Sequence, residues 1–233
     1  MKTKSTIFTV LLAGLLFSTL FSCKQITDIL SHSQPPPTVK DIDGNIYHTV
    51  LIGNQIWMVE DLNVKHYQNG DPITLAADIK DSIQGGYLNE NKDRSLLSPK
   101  RYNWTAVIDK RNIAPAGWHV PTIAEWKTLT TFLGGESVAG GKLKEAGTAH
   151  WPEPNTGATN ESGFTALPNQ IAVPSTSPDL NMHGYWWSNS TEQNSGKAQL
   201  VHLYFESTAI NTFPLFQMSY SNDSYMAVRC IKD

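Results

Sequence analysis

Between residues 46 and 52 apolar and polar side chains take turns: Ile46, His48, Val50 and Ile52 fall on one face, Tyr47, Thr49 and Leu51 on the other. That period of two predicts a half-buried strand. Gly53-Asn54 offers the positive φ of a tight turn, and Gln55-Ile56-Trp57-Met58-Val59 reads as the returning strand, so the domain opens on a hairpin. Asp41-Ile42-Asp43-Gly44-Asn45 just before it is a turn signal. From Asn63 to Arg101 the periodicity fades, and Asn69-Gly70-Asp71-Pro72 and Gly85-Gly86 mark turns among loops and short pieces. Over Thr122 to Leu133 the period changes. Thr122 and Glu125 form a capping box and Trp126, Leu129 and Leu133 share one face, predicting a helix that Gly134-Gly135 stops. Residues Gly141 to Gly147 suit one short helical turn, and His150 to Ser162, rich in Pro, Asn, Thr and Gly, a long irregular loop. Tyr185 to Ser188, Gln199 to Phe205 and Met226 to Ile231 read as closing strands. A central helix with strands at both ends gives an α+β class.

Ahead of the domain the pattern is of another kind. Lys2 and Lys4 precede about fifteen mostly apolar residues, Ile7 to Phe21, which is the layout of a secretory signal. The run falls short of the ~20 residues a spanning helix wants. Its end, Leu20-Phe21-Ser22-Cys23, resembles the lipobox of bacterial lipoproteins, in which the cysteine is acylated and becomes the mature N-terminus. The resemblance implies a signal peptide over 1–22, with Cys23 as the lipid attachment site. Residues 23–38 follow as a tether, because Ser31-His32-Ser33-Gln34-Pro35-Pro36-Pro37 favours extended polyproline geometry. Residues 39–233 suffice for one core. A single acyl chain binds weakly, so the triacylated cysteine of such lipoproteins supplies the stable anchor. Lys24-Gln25 carries no acidic residue after the anchor, which points to the outer membrane of a Gram-negative bacterium, its face left open.

Removing the two signal lysines shifts the net charge from −3 to −5, and no basic block exists, so nucleic acid is not an expected partner. Seven tryptophans, eight tyrosines and sixteen glycines beside 17% charged residues fit a loop-rich, aromatic-cored fold used outside the cytoplasm. With Cys23 acylated, Cys230 is the remaining cysteine, and no intrachain disulfide forms.

Several sequence words occur in order: Asp41-Ile-Asp-Gly-Asn45, Ile52-Gly-Asn-Gln-Ile-Trp-Met58, Tyr102-Asn-Trp104, Gly117-Trp-His-Val-Pro-Thr122 with Ala124-Glu-Trp126, and Ala139-Gly-Gly-Lys-Leu-Lys-Glu145. His150-Trp151, Asn155-Thr-Gly-Ala-Thr-Asn160, Ser162-Gly-Phe164, Ala166-Leu-Pro168, Trp186-Trp-Ser188 and Val228-Arg-Cys230 follow. Together they resemble the Fibrobacter succinogenes major paralogous domain over about 39–233. The resemblance implies a secreted or lipid-anchored bacterial protein with a C-type-lectin-like fold, shared with formylglycine-generating enzymes, and brings no assigned reaction. The family commonly has a Cys-Pro pair before Gly-Trp-His-Val-Pro-Thr, where this chain has Ala114-Pro115. If that cysteine pairs with the terminal one, the chain lacks the staple, and Cys230 is expected to be an inert core thiol. Family glycines after Ala166-Leu-Pro168 are replaced by Asn169-Gln170.

The candidate ligand residues lie in the loop and on the closing strands. Glu153-Pro154-Asn155 resembles the C-type lectin triplet that places a carboxylate and an amide on Ca²⁺ and sugar hydroxyls. The Trp-Asn-Asp that should follow has its nearest counterpart in Ser221-Asn222-Asp223, nearly seventy residues on, which favours a proline-kinked loop. Asn160 and Glu161 join the list as loop polar groups. Adjacent strand residues point oppositely, so Trp186 or Trp187 is core, and Trp187 and Trp151 are the candidate sugar-stacking rings. His119, with no second histidine at i+4 and no nearby carboxylate pair, reads as structural. No Gly-x-Ser-x-Gly elbow, phosphate-cradling loop or Cys-x-x-Cys occurs. The expected function is a non-catalytic binding or structural module without a cofactor, Ca²⁺ being the one candidate, for a glycan or an envelope protein. The alternative is a formylglycine-generating-type enzyme or another hydrolase on this fold. Asp81-Ser82-Ile83 fits a short glycan-acceptor pattern at Ser82.

Overall fold

The computed structural model describes residues 37–76, 85–88, 100–169, 182–214 and 224–233. Cys23, the tether up to residue 36, Ser82, Gln170 and Ser221-Asn222-Asp223 lie outside the described residues, whereas Pro37 and Thr38, expected to end the tether, are part of the fold: Thr38 pairs with His48 and the Pro37 carbonyl accepts from the Thr49 amide. The class is α+β. Strands β1 (Thr38–Lys40), β2 (Ile46–Ile52) and β3 (Gln55–Met58) join β7 (Trp118–His119) and β12 (Ile231–Lys232) in a sheet of order β1-β2-β3-β12-β7. A second sheet, β4 (Thr74–Leu75), β5 (Gly86–Leu88), β6 (Arg101–Asn103) and β11 (Tyr225–Met226), is ordered β11-β6-β5-β4. The third is the meander β8 (His183–Thr191), β9 (Ala198–Tyr204) and β10 (Ile210–Pro214). Helices α1 (Trp104–Val107), α2 (Ile123–Phe132) and α3 (Glu136–Leu143) lie between β6 and β8 in the chain.

The opening hairpin forms as its pattern predicts, with Ile52 opposite Gln55 across Gly53-Asn54 and φ of 63° at Gly53. The first sheet brings the two ends of the domain together, since β12 pairs with both β3 and β7. In α2 the Thr122 hydroxyl accepts from the Glu125 amide while the Glu125 carboxylate accepts from the Thr122 amide, the reciprocal cap expected of Thr-x-x-Glu.

Two hydrophobic clusters flank β3 and β8. Met58 and Trp187 belong to one, with Tyr102, Trp104, Trp118, Val228 and Cys230. Trp57 and Trp186 belong to the other, with Trp126, Trp151, Phe164, Val201 and Ile231. The alternation of strand side chains therefore sends one residue of each neighbouring pair into each cluster. Trp57 and Trp126 pack tilted at 4.8 Å between ring centroids, and Phe164 lies 5.8 Å from each. Such pairs contribute about 0.5–1.5 kcal/mol beyond area burial.

Two further expectations need correction. The segment read as one short turn at 141–147 is the end of α3, which starts at Glu136 just after the two stopping glycines. Gly140 and Gly141 sit inside α3 because other backbone closes on them: a Cβ at Gly140 would lie 2.3 Å from the Ala209 carbonyl oxygen, and one at Gly141 2.4 Å from that of Gly157. The single strand expected over Met226 to Ile231 is two short ones in different sheets. Between them Ala227, Val228 and Cys230 accept hydrogen bonds from the amides of Trp187, Leu62 and Met58, which serve three different parts of the fold.

Candidate functional site

The loop and tryptophan candidates are drawn into the fold. Trp151 is buried and donates Nε1–H to the Ala166 carbonyl at 2.8 Å; Trp187 is buried and donates to that of Tyr102 at 2.7 Å. Neither ring is open for stacking on a sugar, because β8 is covered on both faces. Asn155 is also buried, its amide donating to the carbonyls of Glu145 and Gly147. Its Oδ1 has no protein partner. Asn160 closes a local turn with Thr165, accepting from its amide and donating to its hydroxyl. Glu161 is exposed and pairs with Lys142 at 2.8 Å, and Glu153 is exposed beside Pro154. Only the two glutamates of the six candidates therefore keep their functional groups at the surface. Among the described residues, no group of three His, Cys, Asp or Glu side chains has the arrangement to hold a metal ion.

A buried ion pair is the electrostatic centre of the domain. Asp61 accepts from Arg229 Nε at 2.5 Å and from Trp186 Nε1 at 2.8 Å on one oxygen, and from Asn169 at 3.3 Å on the other. Arg229 also donates to the Phe164 carbonyl at 2.8 Å and lies over that residue's ring at 4.4 Å. Asn169 accepts from the Tyr185 amide at 2.6 Å and so ties β8 to the pair. Cys230 next door is unpaired and buried, and burial pushes its thiol well above the ordinary range, as an inert core thiol requires. Ala114, where the resemblance implies a cysteine, is buried in the same cluster.

Among the described residues, a cleft of about 250 Å³ opens between the 40–42 turn, the 64–68 stretch and the 113–116 loop. The exposed Ile42 and Ala116 supply its open apolar surface over buried Val64, Ile113, Ala114 and Pro115, while Lys40, His66 and Gln68 supply polar groups. The turn carboxylates build this wall. Asp41 accepts from the Asn45 amide and side chain and from the Tyr47 hydroxyl at 2.6 Å, so its oxygens are engaged internally. Asp43 accepts from the backbone amides of Lys65 and His66 and from His66 Nδ1 at 2.5 Å. A carboxylate on Nδ1 fixes the ring tautomer and orientation, leaving Nε2 as the nitrogen a ligand can use. Those amide bonds and the His66 contact hold the Asp43 carboxyl below its ordinary range, outweighing burial, which acts in the opposite direction. Sequence reading saw Asp41 to Asn45 as a turn and missed this role. The available signal was two carboxylates alternating in one turn: the partners of Asp41 are the nearby Asn45 and Tyr47, whereas those of Asp43 lie more than twenty residues on.

His119 is structural, but the carboxylate pair that the sequence did not reveal is supplied by the fold. Its Nδ1 meets Asp233 at 2.7 Å and its Nε2 meets Glu125 at 2.8 Å. Burial alone would lower the His119 pKa, but the two carboxylates outweigh it and raise it above 6.5. Burial alone would raise Glu125, but the Thr122 amide and His119 outweigh it and lower it below 4.5. The histidine contribution is therefore complete below pH 6.5 and lost as pH rises through the raised value. The glutamate contribution is complete above pH 4.5 and lost as pH falls through the lowered value. Between pH 4.5 and 6.5 both are present. His119→Gln is expected to lose under about 1 kcal/mol there, given the partial exposure. Urea midpoints should then differ most between the two proteins near pH 5.5, and the gap should narrow as pH rises through the raised His119 pKa; a gap that does not change with pH would refute the clamp.

The family model described as the Fibrobacter succinogenes major domain matches residues 50–232. No curated protein and no solved structure matches the chain.

Proposed function

The chain belongs to the Fibrobacter succinogenes major domain family, and from that premise we propose that it is a lipid-anchored envelope protein whose C-type-lectin-like domain is a non-catalytic binding module. Its ligand seat is the cleft beside His66, and its ligand is a short glycan segment. The observation that carries the reading is the composition of that cleft, where the exposed apolar side chains of Ile42 and Ala116 adjoin Lys40, Gln68 and a histidine whose Nδ1 is already held. Saccharides need this combination, since their C–H faces cover apolar surface while their hydroxyls seek a few fixed polar groups. The hydrolase alternative draws on the same Asp43–His66 pair, the base half of a nucleophilic site. Among the described residues, the cleft lining has no Ser, Thr or Cys beside that pair.

A glycan array probed with residues 39–233, with Ca²⁺ and with chelator, tests the seat. Binding that survives chelator and weakens about tenfold in His66→Ala is expected, the loss of one good hydrogen bond. Binding that needs Ca²⁺ and falls in Glu153→Ala instead would move the seat to the 153–155 loop, and silence on every glycan would remove the glycan reading. Anchoring is tested separately. Cys23→Ser is expected to shift the full chain from the membrane to the soluble fraction, and unchanged membrane association would refute lipid attachment at Cys23.

A further inference from the structure

Among the described residues the Lys144 ammonium has no carboxylate beside it, although the side chain is fully buried. Its Nζ is ringed by four backbone carbonyls: Thr156 at 3.1 Å, Tyr204 at 3.2 Å, Phe205 at 3.3 Å and Ser207 at 2.9 Å. Three N–H groups are thus shared among four acceptors. The Trp151 ring lies 5.6 Å away on another side. The carbonyls come from separate parts of the fold, the loop after Glu153-Pro154-Asn155 and the corner between β9 and β10, while Lys144 itself caps α3. Burial pushes the amine down to about 8, with no charged neighbour to oppose it. A ring of carbonyl oxygens replacing a hydration shell is how proteins dehydrate K⁺, and ammonium meets the same requirement.

We propose that these four carbonyls form a monovalent-cation cage in which the Lys144 ammonium is the tethered occupant, locking the 153–156 loop to the β9–β10 corner and α3. The cage orders the loop by charge–dipole attraction from inside, independently of any ligand in the His66 cleft.

The test is the Lys144→Ala protein, which empties the cage without filling it. Its melting temperature is expected to fall by about 10 °C, since a cavity replaces a bound cation and the Thr156 and Ser207 carbonyls lose the ammonium, while those of Phe205 and Tyr204 keep the Thr156 and Ser207 amides. At equal ionic strength, 0.2 M ammonium or potassium should restore about 4 °C or more relative to choline, as a millimolar-affinity site would. Equal recovery in choline, or none in any salt, would overturn the cage. Lys144→Met fills the volume without charge and should be destabilised with no preference among salts; a Lys144→Met protein as stable as wild type would also overturn it. If Lys144→Ala does not accumulate folded, refolding it from denaturant in each salt reads the same question. Recovery in ammonium but not choline supports the cage, and failure in all salts overturns it.

Discussion

Asp61→Ala is expected to lower stability by about 3–5 kcal/mol, because it strands Arg229 as a buried, unpaired charge. Arg229 is 1% exposed and Asp61 8%, so water cannot take over the lost contact. The guanidinium would keep its bond to the Phe164 carbonyl and its place over that ring, but Nε loses its acceptor. The same substitution orphans Trp186 Nε1, which is fully buried. Asn169 loses one partner while retaining the Tyr185 amide. For a domain of this size, 1 kcal/mol moves the melting temperature by roughly 2–4 °C, so a drop of about 10 °C is the reading in a thermal melt. Asp61→Asn preserves an acceptor for Trp186 without the charge and should fall between the two proteins. Asp61→Ala with Arg229→Met removes both charges and should recover part of the loss, since the dominant penalty is the unpaired ion. A single-variant loss under 1 kcal/mol would show that Arg229 finds water or another acceptor.

This network also marks the boundary of what the sequence made legible. The hairpin and α2 were readable because their determinants are local: a two-residue turn, a four-residue capping box and one period of side chains. Asp61 and Arg229 are separated by 168 positions and His119 and Asp233 by 114, and no local pattern records such pairings. The same limit explains the ligand candidates. Asn155, Trp151 and Trp187 are residue types that line binding sites when exposed; the partner of Trp187 lies 85 positions away, and those of Asn155 and Trp151 lie 8 to 15 positions away across irregular chain that carries no periodic signal. Asn155 is held by carbonyls of Glu145 and Gly147, and Trp187 by that of Tyr102. The His66 cleft stayed hidden for the complementary reason. Its polar members come from two separate segments, the end of β1 and the 66–68 stretch, and they become a site when Asp43 reaches the amides and ring of the 65–66 stretch.

The glycines of α3 set local preference against packing most sharply, and Gly140→Ala and Gly141→Ala are expected to be destabilising where helix propensity says the reverse. In an exposed helix interior, glycine to alanine gains about 1 kcal/mol. At Gly140 the new Cβ would lie 2.3 Å from the Ala209 oxygen, 2.6 Å from its carbonyl carbon and 2.8 Å from the Thr208 oxygen. At Gly141 it would meet the Gly157 oxygen at 2.4 Å and the carbonyl carbon at 3.0 Å. These are backbone atoms, so no rotamer change relieves the overlap, and α3 must move off the β9–β10 corner. That displacement strains the bond from the Gly141 amide to the Thr208 carbonyl at 3.0 Å. Overpacking of this kind costs about 1–3 kcal/mol or more, and a rigid neighbour puts both sites at the upper end. The net loss is therefore about 2 kcal/mol at each position, read as a lower urea midpoint. Ser137→Ala supplies the internal comparison: it is exposed in the same helix, and its contact with Thr208 uses the backbone carbonyl, which the substitution keeps. Ser137→Ala should leave the midpoint unchanged or slightly raised. Opposite signs within one eight-residue helix would identify close backbone approach as the reason for the glycines, and a stabilising Gly140→Ala would show that α3 does not pack this tightly.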